Sequence, residues 1–479
     1  SVIIVGAGIA GLRCAQVLKE ELPEAGIIVL EAADGIGGRI QQDTTFVPGM
    51  TLELGAEFLH GSATSMTQLA RRLHLPTQEL FTWAQGDGGP LPPASGPGHA
   101  LYYLGRERRL LRAPYDDADF AALNAALLDM CETDAATTER DARSVLQWLA
   151  QDQRMPARMA GMAEAGFGNT VGAPLREISY SGSCHLAREW EVDGEGDFRL
   201  TGEGLRAIVQ HVAAGANVVC NWPAARVECC EGAGGRVVVT CRDGRRVAGT
   251  HAVIAVPLSV MQDGGIEFSP QLPPAKLAAL QCFGMGRAVK VLLKFSQLWF
   301  DQDLHGLICA DMKFPEFWFR PVPECDSHEC TDKTKAVVVA FASGAFADAV
   351  MDSASDEQVF TQVLEQLDVI FGPISDHPNP ASDCFLGAKI VDWKTEYPFI
   401  RGGYSYPKQG HKAGAGGEIA APEGDHLFFA GEHTNAAAGM TLHAAYDTGT
   451  RAALEVVQAI GAAATGTSLE QNTPRDCKL

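Results

Sequence analysis

The chain has 479 residues, 46% of them hydrophobic and 20% charged. That composition excludes disorder as the default, and the length exceeds one compact core, so two domains or one domain with a large insertion are expected. With 59 Asp and Glu against 38 Lys and Arg the formal net charge is −21, which excludes a nucleic-acid partner, since that needs a basic face, and is compatible with a cationic substrate drawn by the long-range field.

In chain order, Ser1–Val5 reads as a buried strand rather than the charged leader of a signal peptide. Gly6–Gly11 follows as a tight turn, Leu12–Leu22 as a helix and Gly26–Leu30 as a second strand. A second glycine turn spans Gly35–Arg39, and residues 84–98, dense in Gly and Pro, read as an exposed loop. Asp116–Met162 is alanine-rich and helical in pattern. Strands are expected over Asn217–Asn221, Arg236–Cys241, His251–Val256, Ala288–Phe295, Ala336–Ala342 and His426–Ala430, then a helix over Gly439–Gly461 and a loose polar tail beyond Ala462. No apolar run reaches the roughly 18 residues of a spanning helix, so no membrane partner is expected. The 13 cysteines form no regular framework and read as reduced thiols. Cys325 and Cys330 flank a polar loop, but without a second pair no metal site is expected.

The resulting fold class is α/β. Residues 1–62, 196–261 and 386–462 would assemble one nucleotide domain from separated segments, and 63–195 with 262–385 an α+β substrate domain, leaving 463–479 as the tail. Substrate sites often lie where two such domains meet.

Gly6-Ala7-Gly8-Ile9-Ala10-Gly11 matches G-x-G-x-x-G between a strand and a helix. Gly6 permits the turn, Gly8 the approach of a pyrophosphate, and Gly11 close helix–strand packing. The helix N-terminus offers free N–H groups to phosphate. Glu31 ends the second strand, where a carboxylate accepts hydrogen bonds from a ribose. In the following Gly37-Gly38-Arg39 the glycines again permit close approach, and Arg39 can neutralise phosphate.

The run Glu31–Arg39 is similar to the second fingerprint of FAD proteins of the glutathione-reductase-like fold, which implies FAD rather than a nicotinamide. More of the chain resembles the flavin-containing amine oxidases, above all FAD-dependent polyamine oxidases and, more distantly, lysine-specific histone demethylases and monoamine oxidases. The residues that carry the resemblance are Leu52–Gly61, His251–Leu258, Phe268–Pro273, Phe429-Ala430-Gly431-Glu432-His433-Thr434 and the helix from Thr441 through Arg451. The resemblance implies that Glu432 bonds the ribityl–phosphate region, that Thr441 and Leu442 present backbone N–H to the flavin, that Trp393 flanks the flavin and that Val227 touches the adenine edge. It places Lys290 as the active-site lysine that holds a water at flavin N5 and assists reoxidation by O2. Tyr404 stands where one ring of an aromatic amine clamp is expected and where monoamine oxidases carry the flavin-bound cysteine, so FAD is expected to be non-covalent. The second ring position falls on Ala438. His60 matches a position that helps hold the polycation, and Glu57 is either a further carboxylate for a second ammonium or a supporting hydrogen-bond partner. The acidic run Arg188–Asp197 is either an electrostatic guide or a solvated loop.

The implied function is oxidation of a polyamine (spermine, spermidine or acetylated forms) at a C–N bond. Hydride would pass to flavin N5, the imine would hydrolyse to an aldehyde and a shorter amine, and O2 would be reduced to H2O2. An oxidase of an L-amino acid or monoamine is the alternative, which an arginine lining the pocket would favour. A chromatin-bound demethylase or non-catalytic flavin scaffold is a third reading, supported by neither a helical insertion nor a basic surface. Cys477-Lys478-Leu479 resembles a peroxisomal import address, so a peroxisomal location with its import receptor as partner is expected, and a cytoplasmic one otherwise.

Overall fold

The computed structural model describes residues 1–80, 99–133, 135–138, 140–192, 196–230, 236–322, 333–352, 355–435 and 439–465. The run Val2–Val5 is apolar at all four positions and buried throughout, as a parallel strand covered on both faces must be. It pairs in parallel with Ile27–Leu30 on one side and His251–Ile254 on the other. Val218–Val219 and Leu427–Phe429 complete a five-stranded parallel sheet. Alternate side chains of the first strand serve two cores. Val2 and Ile4 pack with the helix Ile9–Glu21 and the long terminal helix Leu442–Thr465, whereas Ile3 and Val5 pack toward a four-stranded sheet. That second sheet runs Arg246–Gly249, Arg236–Cys241, Ala224–Cys230, Glu267–Ser269. This is the mixed α/β class expected, with the parallel sheet drawn from four separated stretches of sequence.

The other layer is a seven-stranded sheet in the order Phe385–Asp392, Ala288–Phe295, Ala336–Ser343, Glu316–Pro321, Leu304–Ala310, His99–Leu104, Arg109–Leu111. The helix Asp356–Phe371 covers one face through Val359, Val363 and Leu367, which meet Val291, Leu293 and Val338. Because Phe385–Asp392 is an edge strand of this sheet, the chain returns to the parallel sheet later than residue 386. The helices Ala118–Glu132, Val145–Gln151 and Tyr180–Val192 pack around Phe120, Trp148 and Met159 beside the Tyr102 end of the same sheet. A three-stranded sheet, Phe58–His60, Asp197–Leu200, Thr77–Leu80, joins the layers and sets His60 directly opposite Asp197. Among the described residues no helix is long and apolar enough to cross a membrane, and no group of three or more metal-ligating side chains occurs.

The secondary elements shift at their ends. The first helix begins at Ile9 rather than Leu12, and the terminal helix runs on to Thr465. The strand expected over Asn217–Asn221 is only two residues long. Residues 84–98, Cys325, Cys330 and Cys477–Leu479 lie outside the described residues, as does most of the tail.

Candidate active site

Among the described residues a continuous cavity of about 1270 Å³ runs from the first glycine turn to the seven-stranded sheet. That exceeds the roughly 300–1,000 Å³ of a pocket for one small ligand, leaving room for a dinucleotide and a substrate together. Gly11 is required for packing, since a Cβ there would stand 2.0 Å from the Gly6 carbonyl oxygen. Gly6 has φ +109° and would bring a Cβ within 2.7 Å of the Ala255 oxygen. Gly8 differs: a Cβ there would meet nothing within 4 Å, so its backbone is bare toward the cavity, as a pyrophosphate requires. Gly38 lines the same stretch of wall.

Glu31 accepts the Ala7 N–H at 2.6 Å and the Ala33 N–H at 2.9 Å. Burial raises its pKa and those hydrogen bonds oppose the rise. Arg39 Nη1 donates to the Gly403 carbonyl and to Glu432 Oε1, both at 2.9 Å. Glu432 is buried and also accepts Ser405 Oγ–H at 2.5 Å and the Met440 N–H at 3.2 Å. Burial works against its charge, but Arg39 leads the interactions that bring its pKa below the ordinary value. Thr441 Oγ1 accepts the Ala444 N–H at 3.2 Å and so caps the terminal helix. Thr441, Leu442 and the helix N-terminus face the cavity, where the helix dipole favours negative charge. Trp393 donates Nε1–H to the Leu54 carbonyl at 2.8 Å and stacks on Tyr397 at 4.0 Å. These residues fit FAD: a bare glycine turn for phosphates, an acid at the strand end, and a helix N-terminus at the far side.

Val227 is placed differently from the expectation. It is fully buried inside the four-stranded sheet, between Val239 and Phe268, and it does not line the cavity. The stretch that does is Asn221–Ala224, three or more residues earlier. Ala438 lies outside the described residues.

Lys290 is 3% exposed and sits in the middle of the apolar strand Ala288–Phe295. Its ammonium donates to Glu57 Oε2 at 2.7 Å and to the Glu53 carbonyl at 2.9 Å, and lies 4.9 Å from the centre of the Trp318 ring. Glu57 takes a second cation, Arg199, at 2.9 Å. Burial alone would raise the Glu57 pKa, but Lys290 and Arg199 bring it down to about 2. Its carboxylate is therefore committed to two side chains of the protein, which favours the supporting role over the ammonium-binding one. Burial lowers the Lys290 pKa, and Glu57 opposes the fall.

The cavity extends past Lys290 between aromatic rings. Tyr404 lines it and donates its hydroxyl to the Thr170 carbonyl at 2.8 Å. Trp318 stacks on Phe341 with ring centres 5.0 Å apart, and Phe58 meets Trp318 edge-on at 4.9 Å. His60, half-exposed to the cavity, shares a 2.6 Å hydrogen bond with Asp197. Burial would lower the His60 pKa, but the adjacent Asp197 outweighs it and raises the value. The arginines lining the cavity stand elsewhere: Arg39 is bonded to Glu432, Arg242 lies over Phe399, and Arg401 faces Asp263 at 3.2 Å. Sequence reasoning missed Glu316, Trp318 and Phe341, all of which line the cavity. The signal for Glu316 was a lone carboxylate in the otherwise apolar run Phe314–Phe319, costly unless it has a task.

The family model described as "Flavin containing amine oxidoreductase" matches residues 9–457. Polyamine oxidase 2 of Arabidopsis thaliana is 27% identical over 472 residues, covering 95% of this chain and 87% of that protein. Lysine-specific histone demethylase 2 of Homo sapiens is 27% identical over 483 residues, covering 95% of this chain, which spans only 53% of the demethylase. Among solved structures, a putrescine oxidase with putrescine bound superposes with a TM-score of 0.74 at 22% identity, covering 96% of this chain and 99% of that one. Cyclohexylamine oxidase from Brevibacterium oxydans IH-35A gives 0.76 at 21% identity with the same coverage. At these identities the two structures speak for the fold.

Proposed function

The chain belongs to the flavin-containing amine oxidoreductases, with FAD as cofactor, and from that premise we propose that it oxidises a polyamine at a C–N bond and delivers the electrons to O2. FAD, when bound, supplies the two-electron acceptor for the carbon next to the amine and the route of those electrons to O2, giving H2O2. The protein's own residues do the rest. Tyr404 and the Trp318–Phe341 stack wall the substrate space with rings and hold bulk water off. A free amine has a pKa of about 10, and an apolar wall lowers it, favouring the neutral form that reacts. Lys290, fixed by Glu57 and the Glu53 carbonyl, keeps one oriented ammonium at the cavity floor. No described cysteine lines the cavity, and Tyr404 occupies the position discussed above, in keeping with non-covalent FAD.

The observation that carries the polyamine reading is the sign of the substrate space. Its ionisable groups beyond Lys290 include the acids Glu79, Asp197 and Glu316, with His60 bound to Asp197, whereas the three lining arginines named above have partners within the protein. A substrate carboxylate finds no cation of its own there, which disfavours an L-amino acid. The test is anaerobic addition of spermine, spermidine or their acetylated forms to the oxidised enzyme while flavin absorbance is followed. Rapid bleaching by at least one is expected. Bleaching by a simple monoamine or an L-amino acid, with none from the polyamines, overturns the reading.

A further inference from the structure

Lys290, Phe341 and Glu316 lie directly opposite one another on three adjacent strands, as the registers Lys290↔Phe341 and Phe341↔Glu316 require. Residues in register on neighbouring antiparallel strands point to the same face, and neighbouring strands are about 4.8 Å apart. Glu316 therefore sits on the same cavity floor as Lys290, roughly 10 Å away at the backbone, with one phenyl ring between them.

Its surroundings are built. Glu316 Oε1 accepts the Trp318 indole N–H at 2.7 Å, and Oε2 accepts the Asn169 side-chain N–H at 3.0 Å. Asn169 cannot turn its amide the other way, because its carbonyl oxygen accepts the Ser343 backbone N–H at 2.8 Å. The same turn accepts the Tyr404 hydroxyl through the Thr170 carbonyl, so the carboxylate and the tyrosine ring share one support. Both donors to Glu316 are neutral, and among the described residues no cation pairs with it. The fully buried acid of this wall, Glu57, has two cations. Glu316 is only partly exposed, and a carboxylate withdrawn from water without a counterion is costly; desolvation pushes its pKa up to about 7, with Asp197 and Glu57 adding to the rise.

We propose that Glu316 is the seat for a second, non-reacting ammonium of the substrate, so that the site selects amines carrying a cationic nitrogen at a fixed distance from the one oxidised. This rests on the polyamine reading and sharpens it. The distal nitrogen must be protonated, and an acetylated nitrogen would not fill this seat. The trapped cation completes the pair that the protein leaves open, while Trp318 and Asn169 keep the carboxylate aimed.

The experiment compares 1,n-diaminoalkanes with the n-alkylamines of equal length by anaerobic flavin reduction, recording apparent Kd and limiting rate separately. In the wild type the diamine should bind tighter, with the preference peaking at one chain length. Glu316→Gln should weaken diamine binding about 10- to 100-fold, the range for losing a charged hydrogen bond. It should weaken monoamine binding and lower the limiting rate far less than it weakens diamine binding, and Glu316→Asp should recover part of the preference. A wild type preferring diamines, with a Gln variant equally selective, overturns the seat alone. A wild type indifferent to the second nitrogen at every length overturns both the seat and the polyamine reading. Because the length series uses unmodified enzyme, a variant that fails to fold does not shield the proposal.

Discussion

Glu57 shows what a single side chain does when its neighbours are fixed. Held by Lys290 and Arg199 at 2.7 and 2.9 Å, it stays ionised although it is almost fully buried. Glu57→Gln leaves two buried cations facing a neutral amide, a loss of about 3–5 kcal/mol for breaking such a pair from one side. Urea denaturation should show it, and adding Lys290→Met should return part of the loss. The linkage has a definite sign. A carboxylate whose folded pKa is depressed to about 2 stabilises above its unfolded value of 4.5 and loses that contribution as pH falls toward 2. Wild-type stability should therefore drop over that window more steeply than that of the Gln variant. The sequence offered Glu57 as either substrate ligand or support, and nothing local decides between them. The deciding partner, Arg199, lies 142 positions away.

At the scale of the element, the glycine turn separates two functions that the motif alone runs together. Gly11→Ala places a methyl 2.0 Å from a backbone oxygen, and the expected outcome is loss of the folded protein, several kcal/mol by overpacking and strain. Gly8→Val points into open cavity, so the apoprotein should fold with a melting temperature within a few degrees of wild type. Its FAD content, read from the visible absorbance of the purified protein, should fall sharply. Elements of this kind were legible because their signals are local: the strand–turn–helix at the start, the apolar run Ala288–Phe295 and the terminal helix all stand within a few residues of their expected places. Val227 was not legible in the same way. Ala224 and Val227 are the buried positions of Ala224–Cys230, three apart across a bulge, and nothing in the local sequence says which of them faces a ligand and which the core. The row Lys290–Phe341–Glu316 was out of reach for a related reason. Register across strands is set by packing between segments and leaves no mark in any one of them.

For the whole molecule the dominant number is −21. Such a field raises the encounter rate of a polycation and is screened over roughly 10 Å at 0.1 M salt. kcat/KM for a polyamine should fall severalfold between about 10 and 300 mM NaCl, while that for a singly charged amine should change little. Equal slopes for both would remove the whole-molecule field from the argument. The class of fold and its assembly from separated segments were visible in the sequence, whereas the shared seven-stranded sheet was not. That sheet recruits His99–Leu104 from one inserted stretch and Phe385–Asp392 from the far end of the other.

The parallel sheet has a consequence for synthesis. Its first two strands are neighbours in sequence, but the strand on the other side of Val2–Val5 is His251–Ile254, and the outer one is Leu427–Phe429. The glycine turn must therefore wait for partners translated about four hundred residues later. No nascent chain stopped short of residue 427 can close the FAD site, and a chain released early would be a target for proteolysis rather than a weak enzyme. The same arrangement means that two separately expressed pieces, divided in the outer layer, would have to find each other through this sheet before either could retain flavin.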